Sequence, residues 1–161
     1  MRDFVSFDTL NPAQDVLVSE TFSEYKDEIQ AFVRAGGTAL ILPQDAEHLP
    51  AAGIIQKIYG VKPSAMDTQE PVLEGIGPEM LNFRRPLTLT VFRDGLLDGL
   101  LKQERIGAGC LICVQLDARE LYRDVHTPLQ IHNVDLPKLN IYKFYRQLLT
   151  NLQIRDLTAP L

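Results

Sequence analysis

Apolar positions along this chain follow two rhythms, unbroken short runs and helix-spaced stripes, and the change from one to the other marks out its elements. "DVLVSE" (15–20) is a short apolar run behind "NPAQ". Such runs are typical of strands covered on both faces, as in the inner part of a parallel sheet. "TFSEYKDEIQAFVRAGG" (21–37) changes rhythm, with Tyr25, Ile29, Phe32 and Val33 forming one helical stripe. Ser23, Lys26, Asp27 and Glu28 mark its start, and Gly36–Gly37 supplies a left-handed stop. "TALIL" (38–42) then returns as a strand closed by Pro43. A strand–helix–strand unit of this kind makes a right-handed crossover with parallel pairing.

Further on, "DAEHLPAAGIIQKIYGVKP" (45–63) predicts a second helix. Ile54, Ile55, Ile58 and Tyr59 would be its apolar residues, Pro50 would sit in its first turn and Gly60 would end it. Residues 64–86 are rich in Pro, Gly and charge and predict mainly loop, with a short helical turn in "GPEMLNF" opened by Pro78. "LTLTVF" (87–92) alternates as a strand. "LLKQERI" and "CLICVQLD" flank "GAG" (107–109), a hairpin signal at the edge of a mixed sheet. A polar connection (118–137) leads to a last helix, "KLNIYKFYRQLLTNLQI" (138–154), with Ile141, Phe144, Tyr145, Leu148, Leu149 and Leu152 on one side. A doubly wound sheet needs more parallel strands than two. Either "RDFVSF" (2–7) supplies one, or the first unit of the fold is missing and the chain is a fragment.

Length adds that the 161 residues form one domain, 1–161, large enough to bury a core. Charge narrows the partners: 16 basic against 21 acidic residues give −5, with no basic block, so nucleic acid is excluded as an expected partner. The longest apolar stretches are strand-sized, so no membrane span is expected. "MRDFVSFDTL" has no signal-peptide core, which favours a cytoplasmic over a secreted chain. Cys110 and Cys113 stand three apart on one strand and so point to opposite faces. They are expected to be ordinary buried thiols and not a redox pair.

The chemistry-bearing residues form no strong motif. A nucleophile elbow requires a strand-to-helix turn around the nucleophile, and Cys110 instead opens a strand. His126 and His132 flank "TPLQI" with Asp124 and Asp135 nearby, but the spacing matches no zinc signature, and His48 is an ordinary surface residue. No metal and no cofactor is expected, since "GIGPE" and "AGG" lack phosphate-loop or dinucleotide spacing. Glu20, Asp45 and Asp117 follow three strands, where α/β folds place ligands, and are the candidate ligand-binding residues. Polar strand ends are equally what any such sheet needs to stop its strands.

Taken in order, "DVLVSE…FSEYKDEIQAFVRAGGTALILPQD", "LEGIGPEMLNFRR", "IGAGCLICVQLD" and "YKFYRQLLTNLQI" resemble a known module. It is the flavodoxin-like, class I glutamine amidotransferase-like accessory domain of β-galactosidase-type glycoside hydrolases. In that family a glycine-turn hairpin leads into an apolar strand ending in a tripeptide like Gln115-Leu116-Asp117, and the closing helix ends near a pair like Asn151-Leu152. The resemblance implies a three-layer sandwich with a mostly parallel sheet and an antiparallel hairpin at one edge. It implies a non-catalytic domain, with the glycosidase carboxylates in a separate barrel. Its partners would be the other domains of the parent enzyme or further copies of itself. Two alternatives stay open: a carbohydrate-binding module, with Tyr122 as its exposed aromatic, and a small hydrolase or amidotransferase using Cys110 or Cys113 with His126 or His132.

Overall fold

The computed structural model describes residues 7–66, 69–117 and 136–153. The expected strand at 2–7 and the connection at 118–137, with Tyr122, Asp124, His126, His132 and Asp135, fall wholly or mainly outside them. The described residues form a mixed α/β fold with two helices and two sheets. The chain divides into two compact units, one holding residues up to Gln56 and Leu89–Gln115, the other Lys57–Thr88 and the residues from Leu116 on.

The first unit is built on a four-stranded sheet. Its strands are β1 (Val16–Ser19), β2 (Thr38–Ile41), β5 (Leu101–Ile106) and β6 (Gly109–Val114), in the order β1-β2-β6-β5. β1, β2 and β6 are parallel, and β5 joins antiparallel at one edge, as the hairpin signal predicts. Helix α1 (Lys26–Arg34) connects β1 to β2 and buries Ile29, Phe32 and Val33 against Ala39, Ile41, Leu111 and Cys113. Leu40, Ile112 and Val114, on the opposite face, are also buried, which is why these strands read as continuous apolar runs.

Helix α1 ends in a Schellman motif. The Gly36 N–H donates to the Val33 carbonyl at 2.9 Å and the Gly37 N–H to the Phe32 carbonyl at 3.1 Å. Gly36 carries the left-handed φ of +107° that this cap requires. Gly109, at the start of β6, lies so close to the cap that a Cβ there would strike the Val33 and Gly37 carbonyls. Tyr25 leaves the predicted stripe: it is the residue before the helix, half exposed, and its ring lies 5.8 Å from that of Phe7. Between β4 (Asn82–Phe92) and β5 the chain turns through Leu97, Asp98 and Gly99, all at positive φ. The Phe92 N–H donates to the Gly99 carbonyl, and the fully buried Leu97 side chain offsets the strain.

The helix expected over 45–63 is not formed. Ala46–His48 make one 3₁₀ turn and Gly53–Gly60 form strand β3, paired with β4 in a two-stranded sheet. Ile54, Ile55, Ile58 and Tyr59 fit a helical stripe, but they are β-branched or aromatic, lie between glycines, and find a partner strand in β4. Tertiary pairing overrode a helical spacing. Only Ile58 of the four is buried, while Ile55 and Tyr59 are 73% and 62% exposed.

In the second unit α2 (Leu136–Asn151) buries Ile141, Phe144 and Leu148. It packs against 3₁₀ turns at Pro71–Leu73 and Pro78–Leu81, the latter opened by Pro78 as predicted. β4 begins five residues before the predicted strand, taking in Pro86.

Candidate functional site

β1, β2 and β6 run parallel and in register, with Ser19 beside Ile41 and Ile41 beside Cys113. Their chains therefore leave the sheet along one edge, the edge where α/β folds place ligands. Two glutamine side chains occupy it. The Gln44 backbone N–H donates to Gln115 Oε1 at 3.0 Å, and Gln115 Nε2 donates to the Gln44 carbonyl at 3.0 Å. This reciprocal pair copies the two-bond exchange of an antiparallel ladder, with a side-chain amide in place of a strand.

The Gln44 side chain faces the other way. Its Nε2 lies 2.5 Å from the Glu20 carbonyl, 2.9 Å from that of Leu42 and 3.2 Å from that of Pro43. Its Oε1 accepts the Phe22 N–H at 3.3 Å. Gln44 thus joins the exits of β1 and β2, and Gln115 joins β6 to Gln44. Gln115 is only 3% exposed, and both ends of its amide are engaged, as a buried polar group requires.

The carboxylates singled out from sequence are placed differently. Glu20 meets the network through its backbone carbonyl, and the residue is exposed. Asp45, next to Gln44, is also exposed. Asp117 is half-buried and belongs to the second unit, where Tyr145 donates its hydroxyl hydrogen to the Leu116 carbonyl. Burial pushes the Tyr145 hydroxyl pKa well above its ordinary value, and the Asp117 charge adds to the shift. Sequence reasoning chose the charged residues at these strand ends and passed over Gln44. A neutral amide directly after a strand-closing proline was the available signal. Gln115 was noticed only as part of a family-like tripeptide.

The cysteines stand as their spacing predicts. Cys113 lies in the α1-facing core and Cys110 is half-buried, and neither is in a disulfide. Burial, reinforced by the Glu104 charge, pushes the Cys113 thiol up to about 12, opposite to what a nucleophile needs. His48 is exposed on its 3₁₀ turn. Among the described residues no three metal-ligating side chains cluster, and no helix is long and apolar enough to cross a membrane.

Chemically, then, the strand-end edge is a set of neutral amides satisfied by backbone groups, and it holds three strand exits in place. No protein-family model matches the chain, and no curated protein and no solved structure is significantly similar to it.

Proposed function

We propose that this chain is a non-catalytic accessory domain of a carbohydrate-active enzyme, of the amidotransferase-like kind carried by β-galactosidase-type glycoside hydrolases. On this reading it is a flavodoxin-like three-layer fold that contributes contacts to neighbouring domains or to further copies of itself. The observation that carries the scaffold role is the Gln44–Gln115 tie. It uses the polar groups of the sheet's ligand-side edge to hold strands together. The carbohydrate context is supported by the order of the sequence motifs. The contact role is favoured by the exposed Ile55 and Tyr59 on β3. The test is an assay of the purified chain on aryl galactosides. No turnover is expected, and robust hydrolysis abolished by one substitution within these residues would overturn the proposal.

One observation favours a second reading as a carbohydrate-binding module. Tyr59, expected in a buried stripe, presents its ring to solvent, and sugars stack their CH-rich faces on such rings. Titration calorimetry with galactosides distinguishes the two: binding heat that disappears in Tyr59→Ala supports a sugar site, and no heat supports the scaffold.

A further inference from the structure

The turn that carries β4 into β5 reads Asp94-Gly95-Leu96-Leu97-Asp98-Gly99, so one short segment holds the same Asp-Gly pair twice. Such a pair has a chemistry of its own. The glycine amide nitrogen can attack the aspartyl carboxyl carbon, and glycine opposes the ring closure least because it has no side chain. A given pair reacts to the extent that its nitrogen and its carboxyl are free to meet.

The fold treats the two pairs in opposite ways. Gly99 is buried, its N–H donates to the Leu96 carbonyl at 3.0 Å, and its carbonyl accepts the Phe92 N–H at 2.9 Å. Asp98 before it is half-buried, and the two sit at left-handed φ values of +55° and +90°. The nitrogen of Gly99 is spent in a hydrogen bond, and it meets the Asp98 carboxyl only if the turn opens. Asp94, in contrast, has 82% of its side chain open to solvent. The Gly95 N–H finds no acceptor among the described residues. One Asp94 carboxylate oxygen lies 3.5 Å from Lys102 Nζ, a solvent-exposed pair of the kind that restrains a side chain little. Position 95 also admits only glycine, since an added Cβ would come within 2.8 Å of Gly99 Cα and of the Leu101 carbonyl.

We infer that Asp94 is a site of spontaneous backbone modification, isomerising to isoaspartate through a cyclic imide with Gly95, while the fold protects Asp98 in the same turn. The Gly95 nitrogen bonds to Cγ of the protonated Asp94 carboxyl, whose hydroxyl leaves as water with the amide proton. Water then adds to the imide carbonyl on the Cα side, and the C–N bond there breaks. The main chain now runs through Cγ, longer by one methylene, and the carboxylate stands on Cα. One water is lost and one is gained, so the step draws on no other reactant. The change falls beside Leu96, whose N–H and carbonyl close the turn onto Leu101. It concerns this turn alone and is independent of the accessory-domain reading.

Ageing the full chain in heavy-oxygen water at neutral pH, followed by peptide mapping with electron-transfer fragmentation, tests this. Residue 94 is expected to accumulate isoaspartate carrying heavy oxygen, several-fold faster than residue 98, and in denaturant the two rates should converge. Asp94→Asn is expected to reach the same product faster, releasing ammonia in place of the first water. Asp94→Glu keeps the charge but must close a larger ring, and should leave the turn unmodified with an unchanged circular-dichroism spectrum. A folded chain with no isoaspartate at 94, over a period in which the denatured chain isomerises, overturns the inference. So do equal rates at 94 and 98 in the folded chain, or isoaspartate at 94 without heavy oxygen.

Discussion

Both compact units use the same device, a side-chain amide on a backbone carbonyl, but they use it on different material. In the first unit a four-stranded backbone ladder forms the sheet, and Gln44 and Gln115 act where that ladder stops. In the second unit the amides hold irregular chain. Asn151 Nδ2 lies 2.9 Å from the Val72 carbonyl and 2.8 Å from that of Glu74, which pins the turn at Pro71–Leu73 to the end of α2. Asn140, buried within α2, donates to the Asn82 carbonyl at 2.9 Å where β4 begins. A ladder satisfies its own backbone groups, whereas turns leave carbonyls over that side chains must reach. The first unit is therefore expected to depend more on apolar packing, and the second more on a few named amides.

The largest effects should come from the two cores. Phe92→Ala in the first unit and Phe144→Ala in the second each remove a fully buried ring, at about 3–5 kcal/mol each in denaturant unfolding. Near-equal losses with one shared transition would show that the units unfold together. Two transitions, each moved by only one variant, would separate them.

Alkaline pH should act nearly as strongly, and earlier in the first unit. Below pH 9.0 the Cys113 thiol keeps its proton in both states and costs nothing. Between 9.0 and about 12 the unfolded chain loses that proton while the folded chain retains it, so stability falls as pH rises. Three pH units at about 1.4 kcal/mol each make this about 4 kcal/mol. Tyr145 in the second unit acts with the same sign, beginning only above its ordinary value of 10.0. Cys113→Ala should flatten the part of the pH–stability curve that starts near pH 9, and an unchanged slope would refute the assignment.

Breaking the strand-end tie is a smaller step. Gln115→Leu leaves the Gln44 N–H and carbonyl without their partner, at about 1–3 kcal/mol. Hydrogen exchange should quicken around residues 42–45 while Val72–Glu74 stays protected. Of similar size is Asn151→Ala, which loses the bonds to the Val72 and Glu74 carbonyls at about 1 kcal/mol each, with the reverse pattern: faster exchange around 72–76 and none at the strand ends. If both variants loosened the same amides, the contrast between the units would fail.

The order β1–α1–β2 was legible because each element satisfies its own requirement locally. The apolar runs have strand length, Ile29, Phe32 and Val33 share one helical face, and Gly36 can take a φ that other residues avoid. The β5–β6 hairpin was legible for the same reason, through its glycine turn. β3 was not, since Ile54, Ile55, Ile58 and Tyr59 satisfy a helix and a strand alike, and only the presence of β4 decides. At the strand ends, sequence singled out the charged residues Glu20, Asp45 and Asp117, whereas the hydrogen bonds that join the exits of β1, β2 and β6 are made by Gln44 and Gln115.

By itself, then, the sequence determined the parallel strand–helix–strand start, the edge hairpin, the closing helix and the opposed faces of Cys110 and Cys113. All of these follow from local periodicity and glycine geometry. The tertiary structure decided that 53–60 pairs as a strand, that Tyr25 and Tyr59 stand out of the core, and that two amides lock the strand exits. These outcomes depend on which distant backbone groups come within hydrogen-bonding distance, and no local pattern encodes that.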